Sequence, residues 1–480
     1  MRKRESESMS RLSVFDAGFL MFETGAMPMH VGGLQLFTPP DGQSPEAFVR
    51  DAMARARQVT DYRAPFDQKP VNHLGRWRWA PDEQFDIDYH LRHSALPLPG
   101  RYREMFALVS RLHGSLLDRS RPLWEMTLIE GLEIRQVAMY TKVHHSVVDG
   151  LGAMKLLRAM TSENPAERDI PLPFEQRTPA RKRSRRKAAA PRVSKGALTD
   201  FGNQLQSQFG VAQGATHALG KYLKATIKPQ STALVGFAQG PKSVINQKVY
   251  PARRVVAQSY SIERIHRLAN AYNGTINDIV LAMSSASLRT HLYMHHVLPE
   301  KPLVAMAPVG LKTGGSADDA VGNAVGMILI NLATNIGDPV ERLQAIRASV
   351  AEAKSMLRSM NQQEILAVAA MAATPWALLT MLGLYDKVDP SANVVISNVP
   401  GPKNPLYWNG ARMDGMYPIS IVTHGMALNY TITSYAGSLD FGITACRRSV
   451  PKAQRLIDYL EQGLVELEQA AGLPAWEAAA

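Results

Sequence analysis

The 480-residue chain has a single cysteine, Cys446. No internal disulfide can form, and no thiolate cluster exists to hold zinc or an iron–sulfur centre. This usage fits a reducing compartment and predicts a cytoplasmic protein. The basic start Met1-Arg2-Lys3-Arg4 is followed by Glu5, Ser6, Glu7 and Ser8, where a secretion signal needs an apolar run. Neither a G-x-x-x-x-G-K-[ST] phosphate loop nor a G-x-S-x-G nucleophile elbow occurs, which argues against P-loop and elbow-type hydrolase chemistry. No short-period repeat is visible, which argues against a solenoid.

The composition present is that of a folded globular protein, with 45% hydrophobic and 20% charged residues and scattered Gly and Pro. At about 100 to 200 residues per domain the length allows two to four domains. The net charge of +12 is concentrated in one place: Arg177, Arg181, Lys182, Arg183, Arg185, Arg186, Lys187, Arg192 and Lys195 lie together with no acidic neighbour. The rest of the chain, at about +3, is not a broadly basic nucleic-acid surface. No nucleic acid is expected as a partner.

The basic run sits in a Pro-, Ala- and Ser-rich stretch without apolar periodicity, which reads as a solvated linker. The predicted organisation is therefore a first domain over 1–175, a basic linker with connecting helices over 176–250, and a second domain over 251–480. Each half mixes strands and helices. In the first, strands are predicted at 31–37, 123–130 and 136–143, and helices at 45–59, 106–117 and 150–160. In the second, strands are predicted at 253–260, 303–309, 325–332, 393–397, 419–422, 427–434 and 438–444, and helices at 262–272, 277–294, 340–357 and 453–469. Residues 365–385 carry no charge and are long enough to cross a bilayer, but six Ala, two Thr and the central Pro375 weaken insertion. A buried or interfacial helix pair broken near Thr374-Pro375 is expected there.

The sharpest chemical feature is Lys142-Val143-His144-His145-Ser146-Val147-Val148-Asp149-Gly150, an alternating strand that ends in two histidines before a helix. An imidazole titrates near pH 6.5, so one fixed at a strand end can take a proton from a hydroxyl or amine nucleophile. Asp149 can orient an imidazole, form a structural ion pair or cap the helix, and His144 can equally pack inward as a core residue. Adjacent side chains on a strand point to opposite faces, so the two histidines are poorly placed to share a metal, and none is expected. In the second half, Thr275-Ile276-Asn277-Asp278 has the spacing of a capping box that fixes a helix start. There Asn277 either fills the first turn or offers an amide to a site. Ser397-Asn398-Val399-Pro400-Gly401-Pro402 follows an apolar strand and forms a rigid turn, which is either structural or lines a channel.

The order of these segments resembles the bacterial wax ester synthase/diacylglycerol acyltransferase family, related to chloramphenicol acetyltransferase and to condensation domains. Met9-Ser10-Arg11-Leu12-Ser13 with Asp16 and Phe19 resembles the family's opening, Met29-His30-Val31-Gly32 its first strand and Arg121-Pro122-Leu123-Trp124 its PLW motif. His144-His145 through Asp149-Gly150 matches HHxxxDG, and Asn277-Asp278 matches the ND motif. Residues 397–402 match SNVPGP, and His424-Gly425 with Ala427-Leu428-Asn429 matches the late HG segment. The likeness runs from about residue 9 to 470, with Lys312 where the family's usual Arg is expected and Met9 an alternative start to Met1.

The resemblance implies an α/β fold of mixed sheets, built as two acetyltransferase-like domains with the active site in a tunnel between them. It implies transfer of a fatty acyl group from acyl-CoA to a fatty alcohol or diacylglycerol, with His145 as general base. His144 and Asp149 would support that base, and Gly150, Asn277, Asn398, Pro400 and Gly401 would face substrate. No cofactor is implied, because acyl-CoA is itself a substrate, and the expected setting is a peripheral one on the inner face of the membrane or on lipid inclusions. Two other readings remain at this stage: a condensation-type enzyme using a carrier-protein thioester, and a non-catalytic lipid-surface protein.

Overall fold

The computed structural model describes residues 10–73, 76–148, 150–176, 235–236, 238–310, 325–361, 364–365, 379 and 383–476. Several expectations lie outside those residues: the start at Met1 or Met9, Asp149, the basic run and its connecting helices, Lys312 and most of 365–385. Among the described residues no helix is long and apolar enough to cross a membrane.

Two six-stranded mixed sheets carry the fold. The first runs, edge to edge, Tyr407–Trp408, Ala411–Ile419, His30–Thr38, Val137–His144, Trp124–Glu130 and Leu91–Ala95. The second runs Val325–Asn331, Val304–Gly310, Val394–Val399, Leu428–Tyr435, Ser438–Cys446 and Arg253–Ser261. A small three-stranded sheet of Ser10–Arg11, Arg76–Pro81 and Gln68–His73 lies apart from both. Most pairings are antiparallel, but Leu91–Ala95 runs parallel to its neighbour and Val394–Val399 runs parallel to both of its own.

Several of the predicted helices start at side-chain caps. Ser44 accepts from the Ala47 N–H at 3.1 Å ahead of Pro45, and Asp338 accepts from both the Val340 and Glu341 N–H groups at 2.9 Å ahead of Pro339. Thr275 and Asp278 complete the expected capping box reciprocally, the Asp278 carboxylate accepting from the Thr275 N–H at 2.8 Å. That bond gives Asp278 a structural role.

One predicted strand differs in both its bounds and its sheet. A strand was expected at 419–422 within the second half; the strand formed is Ala411–Ile419, and it joins the first sheet, pairing antiparallel with His30–Thr38. Gly415 and Pro418 interrupt its alternation, and a register shift falls between Met413 and Gly415, so neither its length nor its sheet was legible locally. The second half thus supplies an inner strand of the first sheet, and the exchange runs both ways: Met27 and Met29 belong to the core of the second half, with Val422, Ala427 and Leu428. The two halves share a seam.

Buried histidines line it. His113 accepts from the Tyr140 hydroxyl at Nδ1 (2.9 Å) and donates from Nε2 to the Ser420 carbonyl (3.2 Å), and His30 donates from Nε2 to the His113 carbonyl at 2.8 Å. Burial holds the His113 pKa down to about 3, and burial together with the nearby Lys142 charge holds that of His30 well below its ordinary value. Below pH of about 6.5 the unfolded chain binds protons that the folded chain refuses, so this contribution is present above that pH and is lost on acidification. The melting temperature is expected to fall between roughly pH 7.5 and 5.5 in scanning calorimetry. A rise over that interval would contradict the buried, uncharged placement of both rings.

Candidate active site

The strand Val137–His144 lies inside the first sheet, and its pairing ends with His144 opposite His30. The Val147 N–H then donates to the His144 carbonyl at 2.9 Å, turning the chain sharply. The pleat separates the two histidines as expected: His144 is fully buried and His145 is half-buried. They occupy different environments.

His144 is held through its backbone and its Nδ1. Its N–H donates to the Leu123 carbonyl at 3.0 Å. Its Nδ1 accepts from the Ser146 N–H at 3.2 Å and from the Ser146 hydroxyl at 2.6 Å, which leaves the ring proton on Nε2. That buried nitrogen makes no hydrogen bond to any described residue and sits 3.5 Å from a Glu23 carboxylate oxygen. Leu123 and Trp124 are the PLW residues, and their role here is support. Trp124 stacks on Phe174 at 4.4 Å, and its Nε1–H donates to the Phe66 carbonyl at 2.9 Å.

His145 is fixed by its backbone and by a ring. Its N–H donates to the Met29 carbonyl at 2.9 Å, and its imidazole stacks on Phe19, with centroids 4.2 Å apart and planes 16° from parallel. Phe19 comes from the helix Val14–Phe22, which Ser13 caps by accepting the Asp16 N–H at 3.0 Å. The motif's last described member, Gly150, opens the helix Gly150–Ala159 at an exposed position, where an added Cβ would meet nothing within 4 Å.

The second half reaches this place through the hairpin around His424. The His424 backbone N–H faces the Met27 sulfur at 3.5 Å, two residues before the carbonyl that holds His145. Its Nδ1 accepts from the Val249 N–H at 3.1 Å, and its ring stacks with Tyr385 at 5.0 Å. Burial and the Lys248 and Arg253 charges lower its pKa. Gly425 needs its glycine, with φ at +81°, and Asn246 donates to its carbonyl at 2.6 Å.

The other expected site residues sit within the second half. Asn277 lies in the first turn of Ile276–Met294, which packs on Pro339–Arg358 and Arg455–Ala470. Asn398 is paired into its strand opposite Ile432, and Pro400 is exposed beyond the strand end. The Gly401 N–H donates to the Ser434 hydroxyl at 3.0 Å, and an added Cβ there would overlap the Ser434 carbonyl oxygen. Gly401 is thus required by close packing, and its amide is used internally. Sequence reasoning passed over Ser146 and Glu23, and it gave Phe19 no part beside His145. The available signal was a serine two residues after a motif histidine and an acid at the end of the opening helix.

Model descriptions of known families cover most of the chain. The wax ester synthase/diacylglycerol acyltransferase catalytic domain matches residues 12–280, and the WS/DGAT C-terminal domain matches residues 321–468. The chain belongs to this family. It is 44% identical to a probable diacylglycerol O-acyltransferase of Mycobacterium tuberculosis, covering 95% of this chain and 98% of that one. It is 40% identical to an O-acyltransferase of Acinetobacter baylyi, covering 95% and 96%. Among solved structures, the wax ester synthase/diacylglycerol acyltransferase of Marinobacter aquaeolei VT8 matches with a TM-score of 0.77 at 41% identity, covering 97% of this chain and all of that one. The first condensation domain of the CDA synthetase shares the fold, with a TM-score of 0.54 at 17% identity. The expected family and its mixed α/β architecture are both borne out.

Proposed function

We propose that this WS/DGAT-family O-acyltransferase moves a fatty acyl group from acyl-CoA to the hydroxyl of a long-chain alcohol or diacylglycerol, with His145 as the general base. The supporting observation is the placement of His145: a half-buried imidazole at a strand end, stacked on Phe19 and tied to Met29, at the seam where the two halves meet. His145 takes the hydroxyl proton as the alcohol oxygen attacks the thioester carbonyl. The carbon–sulfur bond then breaks, the ester remains, and the imidazolium returns its proton to the departing thiolate. The thioester is more reactive than the ester formed, so the exchange runs without ATP or a metal. His144, with Ser146 on its Nδ1, holds the strand end that presents the base.

The site works between the two halves, because both substrates are large and water must be kept from the thioester. Asp149 and Gly150 belong to the motif that carries the base, and Asn277, Asn398, Pro400 and Gly401 shape the second half's side of the substrate path. A thiol-release assay with acyl-CoA tests the reading directly. Release is expected to depend on added hexadecanol or diacylglycerol and to survive dialysis against a chelator. Release at the same rate without an alcohol would overturn it, and activity only with a carrier-protein thioester would point to condensation-type chemistry.

The basic run 177–195 and the apolar 365–385 segment favour a peripheral seat on the inner membrane face or on lipid inclusions. Each Lys or Arg near an anionic surface contributes on the order of 1 kcal/mol, screened by salt. Neutralising the run is expected to abolish low-salt flotation with anionic vesicles. Unchanged flotation would leave the run as a plain linker.

A further inference from the structure

We infer that Glu23 is a positioning residue for His145, acting through Met29, the end of the helix that carries Phe19, and His144. The inference rests on the reading of His145 as the base.

Glu23 follows the helix Val14–Phe22, and its side chain is 2% exposed. One carboxylate oxygen accepts from the Met29 N–H at 3.0 Å, and Met29 is the residue whose carbonyl holds the His145 N–H. The other oxygen accepts from both Nε and Nη2 of Arg119 at 3.0 Å, and Arg119 also donates from Nη2 to the Leu20 carbonyl at 2.6 Å. Together with the Glu23 N–H, which donates to the Phe19 carbonyl at 3.1 Å, these bonds close the end of the helix that carries the stacking ring. The third contact is with His144, the residue before the base, whose Nε2 lies 3.5 Å from the carboxylate. Backbone anchor, stacking ring and strand end thus converge on one carboxylate.

Burial alone would raise the Glu23 pKa, but the His144, Met29 and Arg119 contacts outweigh it and hold the carboxyl below its ordinary value. A buried charge is costly unless its partners compensate it, and here each partner leads to His145. What the charge adds is a fixed geometry between two chain segments that meet at the imidazole.

The test is Glu23→Gln, which keeps the volume and removes the charge, read in two independent ways. In steady-state assays kcat is expected to fall by ~10- to 100-fold with KM for acyl-CoA within ~3-fold, the scale of a misplaced catalytic group. In carbethoxylation footprinting by mass spectrometry, the labelling rate of His145 is expected to change by ~3-fold or more, while the exposed controls His73 and His93 keep theirs. Glu23→Asp, which keeps the charge with a shorter reach, is expected to restore part of both and serves as the test if the Gln variant does not fold. Unchanged His145 labelling, or equal changes at His73 and His93, would overturn the inference. Altered His145 labelling with normal kcat would uphold the positioning and sink the base reading instead.

Discussion

His145→Ala is expected to lower acyl transfer by ~100-fold or more, the scale of losing a general base, while the protein stays folded. His145 is half-buried and its ring has one aromatic face against Phe19, so truncation removes a stacking contact without opening a fully enclosed core. Its N–H bond to Met29 is made by the backbone and survives the change. His144→Ala is a different experiment. That ring is completely buried, and losing it leaves the Ser146 hydroxyl and the Glu23 carboxylate facing a cavity, so stability and activity should fall together. Thiol release and thermal melting measured on both variants separate the roles. Near-normal turnover by a soluble, folded His145→Ala protein would remove the proposed mechanism.

The second large effect is structural and lies at the seam. Gly442, in the strand Ser438–Cys446 of the second sheet, faces Pro418 in the strand Ala411–Ile419 of the first, and an added Cβ would overlap the Pro418 carbonyl oxygen and crowd its carbonyl carbon. Both obstacles are backbone, so no rotamer change relieves them. Bonds on either side hold the two strands in place: the Met416 N–H donates to Asp440 at 2.8 Å, and the Ser420 N–H donates to the Thr444 hydroxyl at 3.2 Å. Gly442→Ala is expected to destabilise the protein by about 1–3 kcal/mol, the usual range for overpacking, and Gly442→Val by more. Because the seam also carries Met27 and Met29 beneath His145, activity should fall before the protein unfolds. A denaturant midpoint for Gly442→Ala equal to that of the parent protein would show that the sheets are not in contact there.

Much of the chemistry was legible because it is local. An alternating run that stops at two histidines announces a strand end, and the capping box at Thr275 announces a helix start. Neither requires knowledge of a distant partner. The strands Gln68–His73, with Pro70 inside it, and Leu91–Ala95 were missed because polar and charged residues break their alternation, and Arg76–Pro81 was missed because its apolar positions are two tryptophans set between arginines. The opening helix Val14–Phe22 was missed because Gly18 and three phenylalanines blur its pattern, although Ser13 and Asp16 carry its cap.

By itself the sequence determined the family, the mixed α/β class, most of the regular elements and the position of the candidate base. These follow from periodicities of 2 and 3.6 and from motif order, which are written along the chain. The tertiary structure alone decided which sheet Ala411–Ile419 enters, that Met27 and Met29 pack in the opposite half, and that Phe19 and Glu23 stand against residues more than a hundred positions away. Strand pairing and buried charge contacts depend on surfaces brought together by folding. A local pattern states that a face is apolar or that an acid is present, and carries no record of what it will meet.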